Sequence, residues 1–214
     1  MASIRTPYAA AVLSLFLVAV AADAASSAPG GSAKAPAAAA PSSKLSFQEA
    51  CKHTAGHYAL CVATLSGDAS SKSADTAGLA KVAILAAQRN ASETATFLSS
   101  IYDDTNLENK TAQLQQCLED CGERSERSTT CLSPRSRYEA AVEQLTDATS
   151  ALQTGAYSES EALVAASQAE VKLCQRGCQA VPDHRNVLTT RNREVDQLCS
   201  IALSITKLIR GPPS

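Results

Sequence analysis

Two pairs of cysteines constrain this chain more than any other feature. Cys117 and Cys121 are four positions apart, as are Cys174 and Cys178, and both pairs occur in sequence typical of helices. Residues at this spacing share one face of a helix. If the two helices are antiparallel, Cys121 can meet Cys174 and Cys117 can meet Cys178, which would hold the helices in one register. The pattern predicts a secreted helical bundle fastened by disulfides.

The N-terminus indicates export into an oxidising compartment. Arg5 precedes an apolar run that ends in the small-residue pattern Ala22-Asp23-Ala24, which predicts a secretory signal peptide over residues 1–24. Residues 25–44 are mostly Ala, Ser, Pro and Gly, and this composition predicts a flexible leader. No later stretch approaches the length of a membrane-spanning helix, so no membrane partner is expected. Export would also expose the sequons at Asn90 and Asn109 to glycosylation.

Composition excludes several classes of function. The net charge of −2 gives no broad electrostatic attraction to nucleic acid or to anionic lipid. The chain has no Trp, three Phe and five Tyr, so it lacks the aromatic platforms on which sugars or single-stranded nucleic acids stack. Abundant Ala is typical of closely packed helices.

Apolar residues recur at a spacing of three and four along residues 45–210, which are predicted to form one domain of about 170 residues. Strand signals are absent, and the expected fold class is all-α. Turn-compatible breaks occur at Asp103-Asp104, at Gly155 and at Pro182. The predicted core stripes are Ile84, Ala87, Ala91, Thr94, Leu98 and Ile101; Leu107, Leu114, Cys117 and Cys121; Tyr138, Ala141, Leu145, Ala148 and Leu152; Val164, Val171, Cys174, Cys178 and Val181; and Leu188, Val195, Leu198, Ala202, Ile205 and Ile209.

Several short segments, in their order and spacing, resemble the plant invertase and pectin methylesterase inhibitor family. They are Cys51 to Cys61, Ala74 to Ala80, Leu118 to Cys121, Val164 to Ala166 and Leu198 to Leu208. The resemblance implies an up-and-down four-helix bundle preceded by a small N-terminal helical hairpin. It also implies a secreted inhibitor, located in the apoplast or cell wall, that caps the active-site cleft of a carbohydrate-active enzyme. Neither catalysis nor a cofactor is expected.

The resemblance implies that Cys51 pairs with Cys61 and that Cys121 pairs with Cys174. Cys117 and Cys178 are additional to the family pattern, and they are either a third bridge or two small buried apolar residues. Cys199 adjoins a core stripe and is expected to be a buried thiol.

A polar segment interrupts the family pattern after Cys121. Removing residues 125–137 would place Tyr138 four positions after Cys121, as in the family, so this segment is predicted to be an inserted surface loop that exposes Cys131.

Other chemistries are less consistent with the residues. Cys51, His53, His57 and Cys61 have the spacing of a zinc site, but a disulfide between the two cysteines would remove the thiolates, so no metal is expected. A hydrolytic triad would have to use His53, His57 or His184, and no Gly-x-Ser-x-Gly elbow is present. A lipid-transfer carrier is a distant alternative, because such proteins carry adjacent Cys-Cys and Cys-x-Cys pairs that this chain lacks.

The target enzyme is predicted from one turn. Invertase inhibitors of the family often carry Pro-Lys-Phe between the third and fourth long segments, whereas this chain has Gly155-Ala156-Tyr157, which is closer to the methylesterase-inhibiting members. Pectin methylesterase is therefore the favoured partner, in a 1:1 complex, and acid invertase is the alternative. The candidate target-binding residues are Glu93, Gln113, Gln116 and Tyr157, although Glu93 and the two glutamines could equally lie on solvated helix faces.

Overall fold

Six α-helices form the described part of the chain. The computed structural model describes residues 44–103, Cys117, Cys121, and residues 136–178 and 185–210. The helices are α1 (Phe47–Cys51), α2 (Tyr58–Ser66), α3 (Thr76–Asp103), α4 (Ser136–Gln153), α5 (Tyr157–Cys178) and α6 (Arg185–Arg210), with a 3₁₀ helix at Ala69–Lys72 between α2 and α3. No strand occurs within these ranges, and the predicted all-α fold class is confirmed.

The four long helices pack as an up-and-down bundle. Helix α3 packs against α4 and α6, and α5 packs against the same two helices, so each long helix has its neighbours in the chain beside it. Helices α5 and α6 are antiparallel, because Gln168 is 2.7 Å from Ser200 whereas Lys172, further along α5, is 3.4 Å from Asp196. This arrangement is the bundle that the sequence predicts.

The core of the bundle consists of the predicted apolar stripes. Ile84 and Leu98 of α3, Leu145 of α4 and Val171 of α5 have no exposed surface. Ile101 and Ile209, at the ends of their stripes, are half-buried, and Leu107, Leu114 and Val181 lie outside the described residues. Burial of each such side chain contributes about 1.5–3 kcal/mol, so the 3.6-residue period of the sequence determines which faces meet.

Helices α1 and α2 form the small N-terminal hairpin. Ser46 caps α1 by accepting a hydrogen bond from the Glu49 amide at 3.2 Å. A disulfide joins Cys51 to Cys61, with their Cα atoms 5.6 Å apart, and so closes the hairpin. The hairpin contacts α3 and α6, and covers one side of the bundle.

Two further disulfides connect Cys117 with Cys178 and Cys121 with Cys174. We call these four residues the cysteine ladder. Cys117 and Cys121 are both helical and fully buried, and they belong to the second predicted stripe. Their disulfides connect this stripe to the C-terminal end of α5.

The described residues cover only part of the other predicted segments. The predicted signal peptide and all but Lys44 of the predicted leader lie outside them, as do Cys131 and most of the predicted loop. The last two positions of that loop, Ser136 and Arg137, are helical and begin α4. Among the described residues no helix combines the length and the apolar character required to cross a membrane.

Candidate target-binding surface

Helix α3 begins at a closely packed N-terminus that fixes its direction. Asp75 accepts a hydrogen bond from the Gly78 amide at 2.8 Å, which satisfies one of the free donors in the first turn. Gly78 allows this turn to pack closely against Ala74, because a Cβ on residue 78 would lie only 2.9 Å from the Cβ of Ala74. The first turn is therefore compact, and the remaining turns of α3 are presented at a defined angle to the bundle.

The outward face of α3 is a continuous exposed strip, which we call the α3 ridge. Its members are Leu85, Arg89, Ser92, Glu93 and Thr96, all of them exposed. Leu85 is 41% exposed, which is unusual for a large apolar side chain in this protein. Of the predicted target-binding residues, Glu93 thus lies on an accessible surface, whereas Gln113 and Gln116 lie outside the described residues.

Polar contacts fix the ridge to α4 on one side. The Gln88 side-chain amide donates to the hydroxyl of Thr146 at 2.7 Å, across the α3–α4 boundary. Beyond this contact, α4 exposes Glu139, Glu143 and Asp147, which follow one another at helical-turn spacing. The surface next to the ridge on α4 is therefore acidic.

A groove of about 270 Å³ separates the ridge from the N-terminal hairpin on its other side. Leu60 and Thr64 of α2, Leu85 and Arg89 of α3, and Leu198 of α6 contribute to its walls. Asp68 also lines it, and hydrogen bonds from the Ser70 side chain and amide hold the pKa of this carboxyl below its usual value. The lining of the groove therefore combines apolar side chains with polar and charged ones.

The candidate glycosylation site Asn90 lines the same groove from within α3. Its side chain is half-buried, and the amide donates to the Ala86 carbonyl at 3.2 Å. Attachment of a sugar to this nitrogen would place the sugar beside the ridge. The second predicted site, Asn109, lies outside the described residues.

The turn between α4 and α5 is short and closely capped. The Ala156 amide donates to the Ala151 carbonyl at 2.9 Å and the Gly155 amide to the Leu152 carbonyl at 3.2 Å, which is the Schellman pattern of helix termination. Gly155 has the positive φ of +78° that this pattern requires. Tyr157, the first residue of α5, is half-buried and packs against the core. The aromatic ring of this turn therefore faces the bundle and does not project from it.

A buried polar pair connects three of the long helices behind these surfaces. The Tyr138 hydroxyl of α4 donates to the side-chain carbonyl oxygen of Asn192 in α6, and both residues are fully buried. The Asn192 amide nitrogen lies 3.9 Å from Cys174 of α5. Burial raises the pKa of Tyr138 well above its ordinary value, so the hydroxyl keeps its proton and remains a donor. No pattern of apolar residues could have identified Asn192, because it is a polar residue on a buried face.

The residues of the alternative zinc site lie in the N-terminal hairpin. Cys51 and Cys61 are bonded to each other, His53 is exposed and His57 is half-buried at the start of α2. A disulfide sulfur is not the thiolate that zinc requires. The third histidine of the chain, His184, lies outside the described residues.

The fold and these surfaces define a disulfide-fastened up-and-down four-helix bundle with exposed, rigidly held helix faces. A family model described as plant invertase/pectin methylesterase inhibitor matches residues 46–205, which is most of the chain. The chain therefore belongs to the plant invertase/pectin methylesterase inhibitor family.

A solved structure supports the same fold. The crystal structure of mutant form A of a pectin methylesterase inhibitor from Arabidopsis is similar, with a TM-score of 0.57 and 21% sequence identity. The similarity covers 73% of this chain and 91% of that chain. No curated protein matched the sequence.

Proposed function

We propose that this protein is a secreted inhibitor that binds a cell-wall pectin methylesterase in a 1:1 complex and caps its active-site cleft through the α3 ridge. Its family consists of inhibitors of invertase or pectin methylesterase, and we expect the protein to have no catalytic activity of its own. Residues 1–24 would direct it into the secretory route and to the apoplast.

The turn at Gly155 is the observation that favours pectin methylesterase over invertase. It contains only the three residues between Gln153 and Tyr157, its amides are used in the helix cap, and its aromatic side chain packs inward. A turn of this kind cannot insert an extended tripeptide into a deep substrate pocket without losing the cap. Binding through the flat faces of the bundle helices is consistent with this geometry.

The α3 ridge and the surfaces that flank it can supply the contact area that such a complex needs. The ridge runs from residue 85 to residue 96 and is about 17 Å long, within a helix of 28 residues that is about 42 Å long. A stable complex buries about 800 Å² on each partner, and residues that flank a long helix can supply this area. The contact between Gln88 and Thr146 and the cap at Asp75 hold the ridge in place, so little ordering would accompany binding.

Titration against the two enzymes tests the choice of target. The secreted protein is added in increasing amounts to a plant pectin methylesterase and, separately, to an acid invertase, from acidic to neutral pH. We expect methylester hydrolysis to fall at near-stoichiometric inhibitor, while sucrose hydrolysis is unchanged. Inhibition of invertase alone would establish the alternative target.

A matched pair of substitutions tests the assignment of the binding face. Thr96 on the ridge and Ala165 on α5, the helix diagonal to α3, are both exposed helical positions. We expect Thr96→Arg to weaken inhibition at least about tenfold, because it places a long charged side chain inside the interface, and Ala165→Arg to leave inhibition unchanged. The reverse result would reject the α3 ridge as the interface but leave the choice of target untouched.

A further inference from the structure

The four sulfur atoms of the cysteine ladder form one compact buried cluster. The sulfurs of Cys121 and Cys178, which belong to different disulfides, are 3.4 Å apart. The sulfurs of Cys117, Cys121 and Cys178 all lie within 4.8 Å of one another, and Cys174 is bonded to Cys121. The four residues have at most 2% of their surface exposed.

This cluster is close to the geometry of a four-thiolate metal site. Zinc binds cysteine sulfur at about 2.3 Å in a tetrahedron, which places the sulfurs about 3.8 Å apart. The separation of 3.4 Å between Cys121 and Cys178 approaches that value. Within each disulfide, the two sulfurs would have to move apart by less than about 2 Å. Rotation of the four side chains can share this movement once the S–S bonds are broken.

A side-chain amide lies next to the sulfur of Cys174. The Asn192 side-chain amide lies beside this sulfur, with its nitrogen 3.9 Å and its oxygen 4.0 Å from it, and the oxygen accepts from the Tyr138 hydroxyl. The nitrogen is the donor of this amide and can donate a hydrogen bond to the sulfur. A thiolate accepts such a hydrogen bond much more strongly than a neutral sulfur does. Metal ligands are commonly held by donors of this kind, which orient them and tune their basicity.

We propose that, in the reduced chain, Cys117, Cys121, Cys174 and Cys178 bind Zn²⁺ as a tetrathiolate site, with Asn192 as a positioning residue. Each disulfide takes two electrons and two protons from a dithiol reductant, which itself becomes a disulfide, and yields two thiols. Zn²⁺ then displaces the four thiol protons as it binds. The ion joins the same two helical segments as the disulfides do, so it holds them in register before oxidation closes the ladder. The site does not depend on the proposed inhibitor function.

Cobalt spectroscopy on the reduced protein tests the site. The protein carries Cys131→Ser and Cys199→Ala, is reduced with a phosphine under anaerobic conditions, and receives increasing Co²⁺. We expect one equivalent of Co²⁺ to give sulfur-to-cobalt charge transfer and the strong visible bands of a tetrahedral thiolate centre, and Zn²⁺ to displace it. Zinc should also raise the melting temperature of the reduced protein, since it binds only the folded arrangement.

Two paired variants locate the site, and a third tests the role of Asn192. Cys117→Ser/Cys178→Ser should abolish the charge-transfer bands, and Cys51→Ser/Cys61→Ser should retain them. Asn192→Leu should weaken Zn²⁺ binding about 10- to 100-fold, and if this variant does not fold, the two paired variants still decide the question. Absence of the tetrahedral spectrum, its persistence without Cys117 and Cys178, or its loss without Cys51 and Cys61 would each overturn the proposal.

Discussion

At the residue scale, the turn after α4 depends on one glycine. Gly155 has a φ of +78° and no neighbour within 4 Å of the position that a Cβ would occupy. The cost of Gly155→Ala should therefore be backbone strain alone, because an L-residue in this conformation is less stable by about 1–2 kcal/mol. We expect the variant to lose about 1 kcal/mol of unfolding free energy in a urea titration, with the α4–α5 turn retained.

Gly67 provides the control for this substitution. It follows α2 with a φ of −70°, and a Cβ there would lie 3.4 Å from the Ala63 carbonyl oxygen, an ordinary contact. Gly67→Ala should be neutral or stabilising by up to about 1 kcal/mol, because it restricts the unfolded chain. Equal losses at both positions would show that positive φ is not the cause of the effect at Gly155.

The thiol of Cys199 should be unreactive in the folded protein. It has no exposed surface, and burial raises its pKa from 9.0 to about 12. We expect iodoacetamide to leave Cys199 unlabelled at pH 8 and to label it after denaturation, as peptide mass spectrometry would detect. Stoichiometric labelling of the native protein would contradict the burial of this side chain.

The raised pKa of Cys199 also makes stability depend on pH. Because the unfolded chain loses this proton first, the stabilisation is complete below pH 9 and is lost as the pH rises from 9 towards about 12. The slope should reach about 1.4 kcal/mol per pH unit for this one group. Cys199→Ala should flatten this part of the pH profile, measured by chemical denaturation with short incubation.

At the scale of helices, the sequence predicts the bundle because burial selects faces at a 3.6-residue period. Tyr138, Leu145 and Leu152 of α4 are buried at the predicted positions, and the described members of the other stripes are buried or half-buried in the same way. Contacts between helices were less predictable. The link between Gln88 and Thr146 and the pair formed by Tyr138 and Asn192 join residues 58 and 54 positions apart. Such pairs depend on the relative register of two helices, which the period of one helix does not determine.

Deletion of the predicted loop would also remove the first two residues of α4, Ser136 and Arg137. Removing residues 125–137 would place Tyr138 four positions after Cys121, on the same helical face, so we expect the bundle to remain folded. The deletion removes Arg137, whose guanidinium is 3.1 Å from the Glu170 carboxylate, but it places Arg124 directly before Tyr138, in the position that Arg137 occupied. We therefore expect the ion pair with Glu170 to be retained and the deletion to change stability by less than about 1 kcal/mol, measured by thermal and urea denaturation.

Glu170→Gln is the matched control for the deletion. It removes the ion pair but retains every residue of the loop, so it should lower the free energy of unfolding by about 1–3 kcal/mol, which is more than the deletion should. If the deletion variant is much less stable than Glu170→Gln, or loses helical circular dichroism, then residues 125–135 contribute to the folded structure and are more than an appended loop.

At the scale of the whole molecule, the three disulfides among the described residues constrain the chain in different ways. The bond between Cys51 and Cys61 closes a short hairpin, with a sequence separation of 10. The two bonds of the cysteine ladder span separations of 61 and 53 and are nested one inside the other. Non-reducing peptide mapping of the secreted protein should recover these three pairs.

Because the two bonds of the ladder are nested, their joint contribution to the free energy of unfolding is not the sum of their separate contributions. In the chain-entropy model, either bond alone closes a loop of more than 50 residues and contributes about 4 kcal/mol. Once one bond is present, the other closes only a ring made of the four cysteines and the three residues between the members of each pair, which is worth about 2.7 kcal/mol. The contribution of each bond therefore depends on whether the other is intact.

A double-mutant cycle measures this dependence. Replacing Cys117 and Cys178 by Ala should lower the free energy of unfolding by about 2.7 kcal/mol, and so should replacing Cys121 and Cys174. Replacing all four should cost about 7 kcal/mol, which exceeds the sum of the two single-bond losses, because only then does the unfolded chain regain the long loop. Urea titrations under non-reducing conditions give the three values. The small cavities left by the sulfurs lower stability in the separate and the combined variants alike, so they add to all three values. Strict additivity would show that the ladder stabilises the bundle through native contacts and not through restriction of the unfolded chain.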